Sequence, residues 1–165
     1  MGTLVGRPSI RMSDKAYHDR IAYEIPRLTL STHRKTSDEN PRYNCIAWAA
    51  GKTDKWWDPI RPPGPGVYWP GDVPRSRSLF ALKAVFKGLG YEECEGGELE
   101  DGYERVALYE KDDSWCHAAK QTPDGNWSSK LGEWVDIEHE LVSAVGGRKY
   151  GDVYVFMRRA ISATK

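Results

Sequence analysis

The sequence predicts an α+β fold, with helices first and a mostly antiparallel sheet after them. Three observations carry this. Three segments before residue 90 bear helical signals. After Tyr103 the runs become strand-length, and turn residues separate them. At 165 residues, with 39% hydrophobic and 29% charged content, the chain can bury one real core without disulfide staples. Seven tryptophans and nine tyrosines argue for an ordered fold or a contact surface.

The elements follow in order. Residues 1–40 read as an irregular N-terminal extension of the single domain 1–165. A short helix around Ser13–Tyr23 is ended by Pro26, and "STHRKTSDENP" reads as exposed loop. Asn44 is a favoured N-cap, and Cys45 through Ala50 meet no breaker until Gly51. The stretch from Trp56 to Pro74 is too rich in proline and glycine for regular structure. Its Trp56, Trp57, Tyr68 and Trp69 predict an ordered loop packed on the body. In "RSRSLFALKAVFKGLGY", Leu79, Leu82, Val85, Phe86 and Leu89 fall at helical spacing, with Ser76 or Ser78 as cap and Gly90 as stop.

Strands are predicted at 103–110, 114–121 and 126–133, then a helix around Asp136–Val145 and a last strand at 152–159. Pro123-Asp124-Gly125 suits a three-residue hairpin loop in which Thr122 faces Asn126. That register sets Ala119 opposite Ser129 and His117 opposite Leu131. It puts His117, Ala119, Gln121, Trp127, Ser129 and Leu131 on one face. A one-residue slip would bring Ser128 and Lys130 there instead.

Several function classes recede on bulk grounds. The formal net charge is zero, so no global field favours nucleic acid or an anionic membrane. The start has no signal-peptide core, Gly6 stands where a myristoylation signal needs Ser or Thr, and no run is long enough to span a membrane. Cytoplasm is the default location, with secretion by a signal-peptide-independent route as the alternative. Cys45, Cys94 and Cys116 are odd in number and irregularly spaced, which suits a reducing compartment. Without CxxC or HxxxH spacing, and with neighbours Cys116 and His117 on opposite strand faces, no metal or other cofactor is expected. Gly64, Gly66 and Gly71 lack the strand and lysine of a phosphate loop.

Cys45 is the residue with chemistry to offer. A cysteine before an Ala-rich run is usually packing, yet the first residue of a helix is where amides and dipole favour a thiolate. Such a thiolate needs a base and a group to orient it. His18 and His33 lie in the irregular region and read as exposed. His139, in "DIEHE", sits on the expected late helix beside acids. His117 stands on a strand among small residues that leave room for another group. Its diagonal neighbour Ser129 can hydrogen-bond the imidazole.

A cysteine at a helix tip, then a strand histidine, then a polar residue on the next strand is an order that resembles the papain-like cysteine hydrolases. The likeness is to the compact bacterial branch that includes cell-wall peptidases and amidases. "NCIAWAAG" (44–51), "HAAKQTPDGNWSSKLG" (117–132) and "DIEH" (136–139) carry it, over residues 40–158. They also look like a poorly characterised bacterial family with a Cys-helix, a His-Ala-Ala strand and a Trp-x-Ser-Lys-Leu-Gly hairpin.

The resemblance implies a papain-like fold, with Cys45 as nucleophile and His117 as base and then acid. The third position, commonly Asn, Asp, His or Gln in such enzymes, falls here to Ser129, with Asp136 or His139 as alternatives. Asn44 caps the helix whose amides would form an oxyanion hole. Lys130 could bind an anionic oxygen, and Trp56, Trp57 and Trp69 could wall a substrate cleft. The expected substrate is a peptide or protein amide. The alternatives are a deamidase or transglutaminase-like toxin, and a non-catalytic protein-binding module on the same fold.

Overall fold

A computed structural model describes residues 14–162. The leading segment, on which the signal-peptide and myristoylation expectations bear, lies outside the described residues. Helix α1 spans Asp14–Glu24, and strand β1 His33–Ser37 follows. Helix α2 is Cys45–Ala49, and the Pro-rich stretch holds two short strands, β2 Trp56–Trp57 and β3 Val67–Tyr68. Helix α3 Leu79–Gly88 leads to β4 Glu92–Cys94, β5 Tyr103–Lys111, β6 Ser114–Gln121 and β7 Trp127–Lys130. The chain ends with β8 Asp136–His139, a 3₁₀ turn at Val142–Val145 and β9 Asp152–Ala160.

The fold is α+β. Seven strands form one sheet in the order β1-β8-β7-β6-β5-β9-β4, with every neighbour antiparallel. Each face carries its own core. Helices α2 and α3 cover one face with Ile46, Leu82, Val85 and Phe86 against Val106, Leu108, Ala118 and Met157. On the other face α1, through Tyr17 and Ile21, joins Tyr109, Ala119, Trp127, Trp134, Ile137 and Tyr150. Among the described residues no helix is long and apolar enough to cross a membrane.

Local chemistry explains the boundaries that position the site. The Asn44 side chain accepts from the Ala47 amide (3.2 Å), and Gly51 at φ +83° stops α2. Ser78 is the cap of α3, accepting from Ala81 N–H at 3.1 Å. The β5–β6 turn places both Asp112 (φ 54°) and Asp113 (φ 67°) in the left-handed region that a two-residue hairpin demands. At the β6–β7 turn Gly125 takes φ +90°, and Thr122 N–H donates to the Asn126 carbonyl at 2.8 Å.

Three expectations are corrected. The stretch read as exposed loop supplies β1, so residues 14–37 belong to the fold and are not an irregular extension. An edge strand pairs on one side only, and β1 is exposed along most of its length, so its residues show no apolar alternation. The helix expected over Asp136–Val145 is instead β8 and the 3₁₀ turn. Gly132 at φ +64° and the Leu131–Val135 backbone bond (2.9 Å) turn the chain back, and β8 completes the ladder of β7. The Pro-rich stretch is ordered and packed as expected, but its ends pair as the parallel ribbon β2–β3.

Candidate active site

Cys45 opens α2 and is buried. Two anchors hold the helix tip. Asn44 accepts from Ala47 N–H and Trp57 N–H and donates to the Trp57 carbonyl (2.8 Å), tying α2 to β2. Burial pushes the Cys45 thiol up to about 11. The backbone amides of Ala118, Ile46 and Cys45 itself, and the Lys130 ammonium, pull the other way. The sulfur therefore sits against the backbone of β6, next to the residue after His117.

His117 is fully buried, stacked on Tyr150 (centroids 4.2 Å) and edge-on to Tyr109 (5.0 Å). Its Nε2 lies 3.0 Å from the Ser129 hydroxyl, which lies 2.8 Å from His139 Nε2. His139 Nδ1 in turn donates to the Leu141 carbonyl at 2.8 Å. All three side chains are buried, and His139 does so on a strand, not on the solvated helix face expected of it. Burial drives the His117 imidazole down to about 3 and that of His139 down to about 4. His117 Nδ1 is buried and has no hydrogen-bond partner.

No hydrogen bond joins Cys45 to His117. Cys45 packs in the core on the α2 side, and His117 stacks on Tyr109 and Tyr150 of the other core. Ser128 and Lys130 point to the α2 face, where Ser128 accepts from Trp48 Nε1 (2.9 Å), while Ser129 points to His117. The β6–β7 ladder holds Lys120↔Ser128 and Gln121↔Trp127, as the predicted register requires. It does not continue to Ala119/Ser129 and His117/Leu131, and the tip of α2 lies against β6 where it stops.

Lys130 and Asp136 do not join the imidazole row. The Lys130 ammonium donates to the carbonyls of Asn40 (2.6 Å), Tyr43 (2.9 Å) and Gly132 (2.6 Å), and lies 4.5 Å from the Tyr43 ring centre. Asp136, its ladder partner, accepts from Thr36, Ser37 and Tyr43 hydroxyls. Both side chains are buried and both grip the segment that delivers Cys45. Trp57 and Trp69 are buried in the core, Trp69 stacked on Trp115 at 6.1 Å, so their rings pack inward. Trp56 is half-buried under Arg61 and donates to Asp58.

A model of the domain-of-unknown-function family DUF7689 matches residues 34–158. The chain belongs to the DUF7689 family. No curated protein and no solved structure matches it. The DUF7689 segment runs from β1 into β9 and contains Cys45, His117, Ser129 and His139, while α1 lies outside it.

In this DUF7689 chain an open cleft of about 400 Å³ lies near these residues, although Cys45, His117, Ser129 and His139 are not in its lining. Pro41, Gly132 and Tyr150 line it, so it touches the segments leading to Cys45, following Ser129 and stacking on His117. Tyr150 carries no signal in the sequence, because its role arises only when the sheet brings it over the imidazole. His139 was legible as a candidate, but the helix expected there hid its place on the sheet.

Proposed function

We propose that this chain is a cysteine hydrolase of papain-like arrangement acting on an amide bond. The observation that supports it most is a fully buried imidazole, clamped between two tyrosines, with one nitrogen held and the other left without a partner. Arg105 Nη1, Trp115 Nε1 and Thr122 Oγ1 are also buried without a hydrogen-bond partner, but His117 Nδ1 alone of these four belongs to a ring that can accept and return a proton. The Cys45 sulfur attacks the carbonyl carbon, and its proton passes to His117 Nδ1. His117 then gives that proton to the departing amine nitrogen. Water, deprotonated by the same imidazole, cleaves the thioester and returns the thiol. With the thiol pushed up and the imidazole pushed down, both groups rest neutral, and proton transfer accompanies attack. Amides of Cys45, Ile46 and Ala118 face the sulfur and stabilise negative charge on it as its proton leaves. On this reading a peptide or protein substrate would enter from the cleft beside Tyr150, past the ring that covers His117.

The decisive test is labelling of Cys45 at pH 7 by peptide chloromethyl ketones, read by mass spectrometry, alongside release of amine from peptides and of ammonia from glutamine side chains. Removing a general base costs about 100-fold or more, and labelling of His117→Ala is expected to fall by that much against the parent. Ammonia release would place the activity among deamidases, and amine release among peptidases. The raised thiol and the missing Cys45–His117 hydrogen bond are the observations that favour the non-catalytic module. Equal labelling of parent and variant, or no labelling of Cys45 in the folded chain, decides for it.

A further inference from the structure

Proton counting along the buried row begins at a carbonyl. The Leu141 oxygen can only accept, so His139 Nδ1 carries a hydrogen. A neutral imidazole then has a bare Nε2, which must accept, and the donor 2.8 Å away is the Ser129 hydroxyl. Having given its hydrogen to His139, Ser129 Oγ faces His117 with lone pairs, and the 3.0 Å contact closes only if His117 Nε2 carries the hydrogen. His117 Nδ1 is then bare, and it is the atom without a partner.

The opposite polarity has Ser129 donating to His117. It requires His139 to hold hydrogens on both nitrogens and to be cationic. His139 is 1% exposed and burial holds it down to about 4, outweighing the Leu141 carbonyl and Glu138, which favour the cation. One polarity remains at neutral pH.

We propose that His139 is a positioning residue that, through the Ser129 hydroxyl, locks His117 in the tautomer with its proton on Nε2 and a bare Nδ1. The row is a three-group relay of polarity, in which a backbone carbonyl at the 3₁₀ turn decides where the lone pair lies at the far end. Its catalytic value rests on the hydrolase reading, because only that reading needs Nδ1 to accept a proton from Cys45. Its existence does not depend on it.

The test uses the full chain with ¹⁵N-labelled histidine, and long-range ¹H–¹⁵N spectra at pH 7 that report the tautomer of each ring. The expected result is Nδ1–H for His139 and Nε2–H for His117. In His139→Gln the new amide oxygen takes the place of Nε2 as acceptor, and His117 is expected to keep its tautomer. In His139→Phe the hydroxyl loses its acceptor and turns to His117 Nε2, so the Nδ1–H form should become populated. Cys45 labelling should fall by roughly tenfold or more, the scale of a mispositioned base, and return with His139→Gln. Ser129→Ala serves if His139→Phe does not fold; it should mix the His117 tautomers while leaving His139 unchanged. An Nδ1–H His117 in the parent overturns the proposal. So does an unchanged His117 tautomer in His139→Phe, or in Ser129→Ala where that variant is the one read. The expected tautomers with an unreactive Cys45 overturn the hydrolase reading instead and leave the relay standing.

Discussion

The neighbouring residues Ser129 and Lys130 face opposite sides of one strand, and each anchors a buried polar cluster of a different kind. On the Lys130 side the groups are ionic and fully used. Three N–H bonds of the ammonium meet three carbonyls, and three hydroxyls meet the Asp136 carboxylate. On the Ser129 side the groups are neutral and one atom is left over, His117 Nδ1. The charged anchors Lys130 and Asp136 are as buried as Ser129, His117 and His139, so burial alone does not separate structural from chemical roles. Satisfaction does. A cluster with every donor and acceptor matched holds the chain in place, and a cluster with one unmatched lone pair has capacity to bind a proton.

The largest effect should come from breaking the matched cluster. Lys130→Met keeps length and volume but strips three carbonyls of their donor and removes a positive charge that Asp136 favours from beyond contact distance. Loss of one partner from a buried ionic group costs about 3–5 kcal/mol, to be read as a fall in the urea midpoint at unchanged slope. Backbone amide exchange should rise first in residues 40–44, which the ammonium grips. A loss below about 1 kcal/mol would mean that Lys130 behaves as a surface charge and that the comparison fails on this side.

The two clusters also differ in how far the sequence reveals them. The Ser129 side was half legible, because turn chemistry at Pro123-Asp124-Gly125 fixes a register, and register fixes which side chains share a face. Ser129 beside His117 followed from that alone. The helices were legible from caps and apolar spacing, and the structure starts α2 and α3 at Asn44 and Ser78. The polar edge strand β1 and the strand β8 were not legible. Their residues alternate in partner and not in hydrophobicity, and a run such as "DIEHE" has a helical look until β7 offers it a ladder. With β8 missing, His139 could not be placed next to Ser129, nor Asp136 next to Lys130. The pairing of strands distant in the chain, and the stacking of Tyr150 on His117, are tertiary facts with no local sign.

Acid should expose the Ser129 side by itself. Both imidazoles are held well below their unfolded value of about 6.5, at about 3 for His117 and about 4 for His139. The unfolded chain therefore binds these protons first. The stability they allow is complete above pH 6.5 and is lost as pH falls toward the folded values. Each group contributes up to about 1.4 kcal/mol per pH unit in that window, so about 2–3 kcal/mol should go between pH 7 and 5.5. Lys130, pushed down by burial to about 8, titrates outside this range. Urea midpoints across that interval give the slope, and His117→Phe should halve it. A flat profile from pH 7 to 5.5 would show the histidines to be open to water.

The smallest effect on stability is expected where the effect on chemistry is greatest. His117→Phe keeps a flat ring between Tyr109 and Tyr150 and removes a nitrogen that nothing satisfies. Ser129 can still donate to His139, so no buried donor is stranded. The change in stability should stay within about 1 kcal/mol, while labelling of Cys45 is lost. Ser129→Ala provides the contrast, since it strands the Nε2–H of His117 and the bare Nε2 of His139, at a cost of about 1–3 kcal/mol. Thermal and urea unfolding of the two variants at pH 7.5, above the histidine window, make the comparison direct. If His117→Phe destabilises as much as Lys130→Met, the imidazole is a packing element and its free nitrogen is incidental. If it is neutral or stabilising, the parent fold carries an unsatisfied atom that packing does not need, which is what the proposed hydrolase requires of His117 Nδ1.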